Sequence, residues 1–189
     1  MDFKEFTIDY ISKLYKTLQK LDLIQLEEFK NHLLTNEGRI YIIGNGGSSS
    51  TASHMANDLS IGLKRREKQS FDVVSLSDNS AISYAIANDI GFENVFYMQL
   101  KDILKPKDTV IAISCSGNSP NIIKAITYAK EVGSTIVGLS GFDGGKLYEL
   151  ADIKIHIPSE KNEYGLVEDI HQIIDHILFT YFIKDTSEK

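Results

Sequence analysis

Residues 39–51 read Arg39-Ile-Tyr-Ile-Ile-Gly-Asn-Gly-Gly-Ser-Ser-Ser-Thr51, an apolar run that ends in a loop rich in glycine and serine. The same order recurs at residues 109–120, Thr109-Val-Ile-Ala-Ile-Ser-Cys-Ser-Gly-Asn-Ser-Pro120. Ser119 followed by Pro120 is typical of a helix start, because serine caps free N–H groups and proline lacks one. Free N–H groups and hydroxyls converge where a strand passes through such a loop into a helix, so both loops predict phosphate binding. Two ordinary tight turns are the alternative interpretation.

The rest of the chain alternates short apolar runs with helical stretches, which predicts an α/β fold with a doubly wound, five-stranded parallel sheet. Two helices are expected within residues 2–35. The predicted strands are 39–43, 71–76, 109–113, 135–139 and 153–157, and the predicted later helices are 49–62, 79–104 (one or two helices), 120–132, 144–150 and 164–184. Ligands of such folds bind beyond the carboxyl ends of the strands, where both loops fall.

We expect a single domain over residues 1–189, with a helical pair at 1–35, an α/β core at 36–184 and a tail at 185–189. The net charge of −6 and the pI of about 5.4 argue against a nucleic-acid partner. No apolar run is long enough to span a membrane and no signal peptide is visible, so a cytoplasmic protein is expected. The single cysteine excludes an intramolecular disulfide.

Histidines and carboxylates occur on two predicted helices. His54 and Asp58 are four residues apart and share a helix face. The last helix carries Glu168, His171, Gln172, Asp175 and His176. Side chains of these types from two helices would form a nitrogen and oxygen metal site, with zinc the first choice and manganese, iron or nickel left open. The alternative is that His54 is a surface residue and that His171 and Asp175 form a simple i, i+4 pair.

Three motifs together resemble one family. Gly-Asn-Gly-Gly-Ser at 44–48, Ser-Cys-Ser-Gly-Asn-Ser at 114–119 and Gly141-Phe-Asp-Gly-Gly-Lys146 are similar to the sugar isomerase (SIS) domain family. More narrowly they resemble the phosphoheptose isomerases, which convert sedoheptulose 7-phosphate to D-glycero-D-manno-heptose 7-phosphate. The resemblance extends over about residues 1–184. It implies an aldose–ketose isomerase that acts through an enediol(ate).

The resemblance also implies roles for individual residues. Asp58 would be the catalytic base and His176 the opposing acid/base. The metal ligands would be His54, Asp58, Glu168 and His176. The substrate contacts would be Asn45, Gly46, Gly47, Ser48, Asn88, Asp89, Ser114, Cys115, Ser116, Ser119 and Glu168, with Ser48 also expected to cap the helix after the first loop.

Four positions depart from the family pattern. Asp58 replaces a glutamate, Glu168 a glutamine, Gly62 an arginine and Cys115 a threonine. Lys64 or Arg65 would be the nearby substitutes for the missing arginine.

The same resemblance implies a homotetramer with shared active sites. Two other functions stay open. One is an isomerase of another phosphosugar for a surface polysaccharide. The other is a non-catalytic protein-binding module like the DnaA initiator-associating protein, and the retained His176 argues against it.

Overall fold

The computed structural model describes residues 1–185 of the chain. The strands are β1 (Ile40–Gly44), β2 (Val73–Ser75), β3 (Thr109–Ser114), β4 (Thr135–Phe142) and β5 (Ile153–Pro158). The helices are α1 (Phe3–Leu18), α2 (Leu23–Thr35), α3 (Gly47–Asn57), α4 (Ser80–Ile90), α5 (Val95–Leu100), α6 (Pro120–Val132), α7 (Gly145–Leu150) and α8 (Tyr164–Lys184). All five predicted strands are confirmed. The last four residues of the predicted tail lie outside the described residues.

The five strands form one parallel sheet in the order β2-β1-β3-β4-β5. Alternate residues of the central strands enter different apolar layers, as the period of a strand requires. Ile40 and Ile42 pack with α2, α3 and α8, whereas Tyr41 and Ile43 pack with α5, α6 and α7. Helices therefore cover both faces, which confirms the predicted doubly wound α/β class.

The strand order places the two glycine and serine loops side by side. β1 lies between β2 and β3, with Gly44 in register with Ile113. The chain therefore leaves β1 toward β2 on one side, while β3, β4 and β5 extend the sheet on the other. Such a switch point leaves a crevice at the carboxyl ends of the strands.

Two helix predictions need correction. The helix expected over 49–62 is α3 followed by a π-helical turn at Asp58–Gly62. The segment 79–104 is divided into α4, a short 3₁₀ turn at Phe92–Asn94, and α5, which ends at Leu100. Gly91, with a φ of 98°, ends α4 because that conformation strongly disfavours other residues. Within residues 1–185, none of the helices is long and apolar enough to cross a membrane.

Candidate active site

The loop after β1 turns at Gly46, whose φ of 55° favours glycine. Gly46 itself occupies the N-cap of α3 and no side chain caps the helix, so the expectation that Ser48 is the cap is wrong. Asn45 and Asn121 exchange two amide hydrogen bonds of 2.9 Å each. Asn121 is buried in the first turn of α6, so this pair joins the first loop to the helix that follows the second loop.

The loop after β3 leads into α6 as the sequence predicts, with Ser119 at the N-cap and Pro120 at the first helical position. The Ser119 hydroxyl makes no capping hydrogen bond. Instead its oxygen lies 3.4 Å from the Ser114 Oγ. Both hydroxyls therefore remain close to the start of α6, where an anion is favoured by the helix dipole.

The segment 141–146 packs against the second loop. Gly117 has a φ of 60°, and a Cβ atom there would lie 1.9 Å from the Gly144 carbonyl oxygen. The Gly117 carbonyl accepts a hydrogen bond from the Leu147 N–H at 2.9 Å. The Asn118 side chain accepts one from the Lys146 N–H at 3.2 Å. The third motif thus holds the shape of the second.

A pocket of about 240 Å³, which we call the loop pocket, lies between the two loops. It is lined by Asn45, Gly46, Ser48, Ile113, Ser114, Cys115, Ser116, Ser119, Tyr164 and Glu168. Ile113 and Tyr164 are not predicted from the sequence, because an apolar strand end and an aromatic side chain at the start of α8 carry no signal of ligand binding.

Three of the predicted substrate contacts do not line the loop pocket. Gly47 packs against Glu168, since a Cβ atom on Gly47 would lie 2.4 Å from the Glu168 Oε2. Asn88 and Asp89 are exposed near the end of α4, where the Asn88 amide donates to the Asp89 carboxylate at 2.9 Å.

Glu168 is the one acidic side chain that lines the loop pocket. Partial burial, together with the neighbouring Asp169, raises the pKa of the Glu168 carboxyl. Burial, and then Glu168, raises the pKa of the Cys115 thiol to about 11. Cys115 is therefore a neutral thiol at neutral pH and lacks the thiolate that a nucleophile needs.

A second group of polar side chains lies between α3 and α8. His54, Asp58, Asp175 and His176, which we call the histidine–carboxylate cluster, each offer one ligand atom, and these atoms lie within 4.8 Å of one another. The His54 Nε2 is 3.1 Å from the His176 Nε2 and 3.4 Å from the Asp58 Oδ2. Three of the four predicted metal ligands are thus brought together. The fourth, Glu168, is outside this group, and Asp175 lies there instead.

Asp58 owes its position to the π-helical turn that it begins. Turns of this kind widen a helix locally and occur often at functional sites. The Asp58 side chain is only 8 % exposed, and its Oδ1 accepts a hydrogen bond from Asn57 at 3.1 Å. At the other end of the turn, a Cβ atom on Gly62 would lie 3.1 Å from the Phe179 ring. A larger residue at position 62 would therefore require the Phe179 ring to shift by a few tenths of an ångström.

Asp175 is fully buried, and burial, together with Asp58, raises the pKa of its carboxyl to about 7. Its Oδ2 accepts a hydrogen bond from the Gln172 amide at 3.0 Å. Among residues 1–185, its Oδ1 has no hydrogen-bond partner. In the same part of the chain, the Nδ1 of the buried His171 also has no hydrogen-bond partner, so His171 and Asp175 are not hydrogen-bonded as the i, i+4 pair left open above.

The cluster fits a divalent cation. Two imidazole nitrogens bound to one tetrahedral Zn²⁺ are about 3.3 Å apart, close to the observed distance of 3.1 Å. Two carboxylates beside two imidazoles form the mixed donor set that zinc and related metals accept. His54 and His176 are exposed, which leaves the cluster open to a ligand from solution.

The other histidines have structural positions. His171 is fully buried; burial lowers its pKa to about 4, and its Nε2 lies 3.4 Å from the Ser140 carbonyl oxygen. His32 contacts the Thr109 hydroxyl at 2.8 Å and His156 contacts the Ser140 hydroxyl at 3.2 Å, both half-buried. Neither His32 nor His156 belongs to the cluster.

The loop pocket and the cluster are connected by the same two helices. α3 begins beside the loop pocket and reaches His54 after seven residues, while α8 runs eight residues from Glu168 to His176. At 1.5 Å per residue, either path covers about 10 to 12 Å. A ligand that reaches both regions would therefore have to extend over roughly that distance.

Comparison with known proteins defines the family. Residues 2–141 match the SIS domain model, and the chain belongs to the SIS domain family. Proteins with a sequence similar to this chain include phosphoheptose isomerases. The phosphoheptose isomerase of Helicobacter pylori (strain P12) is 37 % identical over 93 % of this chain and 90 % of its own length. That of Aliarcobacter butzleri (strain RM4018) is 34 % identical over 93 % and 92 %.

A solved structure agrees over almost the whole chain. Phosphoheptose isomerase GmhA from Neisseria gonorrhoeae superposes with a TM-score of 0.84 at 25 % identity. The match covers 96 % of this chain and 98 % of the other. The predicted resemblance to the SIS family and its phosphoheptose isomerases is confirmed.

Proposed function

We propose that this chain is an aldose–ketose isomerase that converts sedoheptulose 7-phosphate to D-glycero-D-manno-heptose 7-phosphate. The observation that carries the proposal is the spacing between the loop pocket and the histidine–carboxylate cluster along α3 and α8. An extended seven-carbon sugar with its phosphate on C7 has its carbonyl region at the opposite end. Such a substrate suits an anion pocket separated by about two helical turns from acid–base groups. The similarity to phosphoheptose isomerases supports the same conclusion.

The loop pocket would hold the phosphate. Ser116 and the pair Ser114 and Ser119 offer hydroxyls, and the start of α6 offers free N–H groups. Binding energy from this end orients the reacting carbons and is available to lower the barrier. Glu168 lines the same pocket, and we assign it to the sugar hydroxyls, because a carboxylate accepts hydrogen bonds from hydroxyls and repels phosphate.

Proton transfer would take place at the cluster. The reaction moves a proton between two adjacent carbons and needs a base for the carbon and an acid for the oxygens. Asp58 would remove the proton from one carbon and return it to the next through its carboxylate oxygen. His176 would exchange a proton with the substrate oxygens from the opposite side, through a ring nitrogen that is not a metal ligand. Asp58 is one methylene shorter than the family glutamate, and it begins a π-helical turn, a feature that occurs often at functional sites.

We also propose that the isomerase is metal-assisted, with His54, Asp58 and His176 among the ligands and zinc the first choice. A bound divalent cation supplies Lewis-acid polarisation of the carbonyl. The convergence of two imidazole nitrogens and two carboxylates supports this assignment.

A homotetramer with shared active sites is part of the proposal. Large apolar side chains are exposed on α1 and α4, among them Phe3, Ile8, Tyr15 and Tyr84. Exposed apolar side chains of this size favour burial against another subunit. Asn88 and Asp89 are exposed near the end of α4 and would be available to the site of a neighbouring subunit. We further propose that the chain works as one SIS domain in the cytoplasm.

A second candidate is an isomerase of another phosphosugar. The carboxylate of Glu168 in the loop pocket favours it, because that charge changes which sugar hydroxyls are recognised. A non-catalytic binding module is less well supported, since His54, Asp58 and His176 are assembled together.

Proton NMR of the purified protein with sedoheptulose 7-phosphate tests the proposal. New anomeric signals of the heptose product are expected with added Zn²⁺ and should be lost after chelation. The same assay with fructose 6-phosphate and arabinose 5-phosphate measures preference. Turnover of either one in place of the heptose would favour the second candidate function. Turnover of sedoheptulose 7-phosphate that survives chelation would exclude the metal from the mechanism and leave the isomerase activity in place.

A further inference from the structure

Asp175 is an unusual residue for the interior of a helix-packed layer. It lies on α8 among Ile174 and other apolar side chains and is fully buried. Within the described part of the chain, one carboxylate oxygen has only the Gln172 amide as a partner and the other has none. An uncompensated carboxylate in such a place costs free energy, so a partner of opposite charge is expected.

No lysine or arginine among residues 1–185 forms an ion pair with Asp175. The groups that face it are the His54, Asp58 and His176 side chains, all within 4.8 Å by their ligand atoms. Asp58 adds a second negative charge to this space and therefore increases the need for a cation. The unpartnered oxygen and the convergence of ligand atoms are independent observations, and both point to a bound cation.

The structure also assigns a different task to Glu168. Its carboxylate packs against Gly47 and lines the loop pocket, and it is not part of the cluster. Gln172, one helical turn below Glu168, donates to the Asp175 Oδ2 and lies 3.2 Å from the His176 Nε2. It fixes the orientation of the Asp175 carboxylate and leaves Oδ1 without a competing hydrogen bond. Outer groups of this kind commonly orient metal ligands.

We propose that Asp175 is a direct ligand of a divalent cation, so that the metal is held by His54, Asp58, Asp175 and His176 and not by Glu168. This assignment rests on the proposed metal-assisted isomerase and names the residues of that site. In this chain Glu168 and Asp175, two of the carboxylates of α8, have different roles. Asp175 and Asp58 together balance the charge of the cation, and Glu168 is left for the sugar.

The assignment predicts opposite effects of one substitution on metal affinity and on stability without metal. Asp175→Asn removes a ligand and should weaken binding of Zn²⁺ and Co²⁺ by roughly 100-fold or more, since even losses outside the ligand shell cost tenfold to a hundredfold. The same substitution removes a buried charge without a partner. The metal-free variant should therefore unfold at a higher urea concentration than the metal-free parent.

The test is a titration of the full-length metal-free protein with Co²⁺, followed by visible absorption, and with Zn²⁺, followed by calorimetry. The parent, Asp175→Asn, Glu168→Gln and Asp169→Asn are compared. Asp169 is a matched control because it is an acidic residue of the same helix that bonds to Tyr10 instead. The expected result is weaker binding and an altered Co²⁺ spectrum for Asp175→Asn alone, with the other two variants within about threefold of the parent.

Unchanged affinity and spectrum in Asp175→Asn would overturn the assignment, as would a large loss in Glu168→Gln with Asp175→Asn unaffected. An Asp175→Asn protein that is less stable than the parent without metal, or that does not fold, would also overturn it, because the carboxylate would then be structural. If the parent binds neither metal, both this assignment and the metal part of the proposed function fail. Turnover of sedoheptulose 7-phosphate, measured separately, decides the isomerase itself.

Discussion

The loop pocket and the histidine–carboxylate cluster are assembled in different ways. The loop pocket is built mainly from two continuous segments, and parallel pairing of β1 with β3 brings them side by side. The cluster joins residues about 120 positions apart, on helices whose contact depends on the packing of a whole apolar layer. The first uses N–H groups and hydroxyls, which cost little to present to solvent. The second contains two carboxylates close together, one of them fully buried.

This difference has a functional meaning in our account. A binding pocket needs many modest contacts, and the loss of one is partly compensated by the others. An acid–base site depends on single groups at fixed positions, where a small displacement costs a large factor in rate. Substitutions in the two regions should therefore separate, with kcat affected at the cluster and KM at the loop pocket.

The largest expected effect is at the cluster. Asp58→Asn keeps the shape of the side chain but removes the base, so kcat should fall by roughly a hundredfold to ten-thousandfold. Steady-state kinetics with sedoheptulose 7-phosphate measures this. Asp72→Asn is the control, because Asp72 is an exposed acidic residue paired with Arg39 before the start of β1. Equal activity of Asp58→Asn and the parent would remove Asp58 from the mechanism.

The amide pair of Asn45 and Asn121, which joins the two loops, should give the next largest effect when it is removed. Asn121→Ala removes both amide bonds to Asn45 and leaves a gap in a buried position, at a cost of about 1–3 kcal/mol in the free energy of unfolding. KM should also rise because the first loop loses its anchor. Urea unfolding measures the stability, with the exposed Asn31→Ala as control. A variant as stable as the parent would show that the pair does not hold the loops together.

The buried His171 of α8 predicts a dependence of the free energy of unfolding on pH. Its pKa in the folded protein is lowered to about 4 by burial, against an ordinary value of 6.5. The contribution of neutral His171 to the free energy of unfolding is therefore complete above about pH 6.5, and it is lost as pH falls toward 4. Between pH 7 and pH 5 this loss is about 2 kcal/mol.

Urea unfolding of the parent and of His171→Leu at both pH values measures the contribution of His171. The parent should lose about 2 kcal/mol more than the variant between pH 7 and pH 5. Equal losses in the two proteins would contradict a neutral, buried His171.

The smallest expected effect is at a single hydroxyl of the loop pocket. Ser119→Ala removes one hydrogen bond to the phosphate, so KM should rise about fivefold to tenfold while kcat stays nearly constant. Thr127→Ala, an exposed hydroxyl two turns along the same helix, is the control. A fall in kcat without a change in KM would place Ser119 with the reacting groups and would remove the contrast between the two regions.

The contrast also explains which features the sequence could predict. The strands, the two loops and most of the loop pocket follow from local sequence patterns, because apolar runs, glycine and serine determine the structure at their own positions. His54 and Asp58 share a face by helical spacing alone. The helical wheel separates adjacent residues by 100°, so nothing local indicates that both Asp175 and His176 enter one cluster while Glu168 enters the loop pocket. That choice is made by the packing of α8 on α3 and β4.

Two further features could not be predicted from the sequence, for the same kind of reason. Asn121 looks like an ordinary residue of a helical first turn, and its partner is 76 residues earlier in the chain. The π-helical turn at Asp58 begins within a continuous helical pattern, and Gly62 at its end lies close to the Phe179 ring of α8. Both involve contacts between distant segments, which periodicity does not record.

The most direct test of the account is a crystal structure of the Asp58→Asn protein with sedoheptulose 7-phosphate bound. We expect the phosphate within hydrogen-bond distance of the Ser116 and Ser119 hydroxyls and the start of α6. C1 and C2 of the sugar should then lie at His176, with the chain extended along α3 and α8. A phosphate bound at the histidines, or a sugar whose C1 and C2 point away from them, would contradict the division of the site into a binding end and a reacting end.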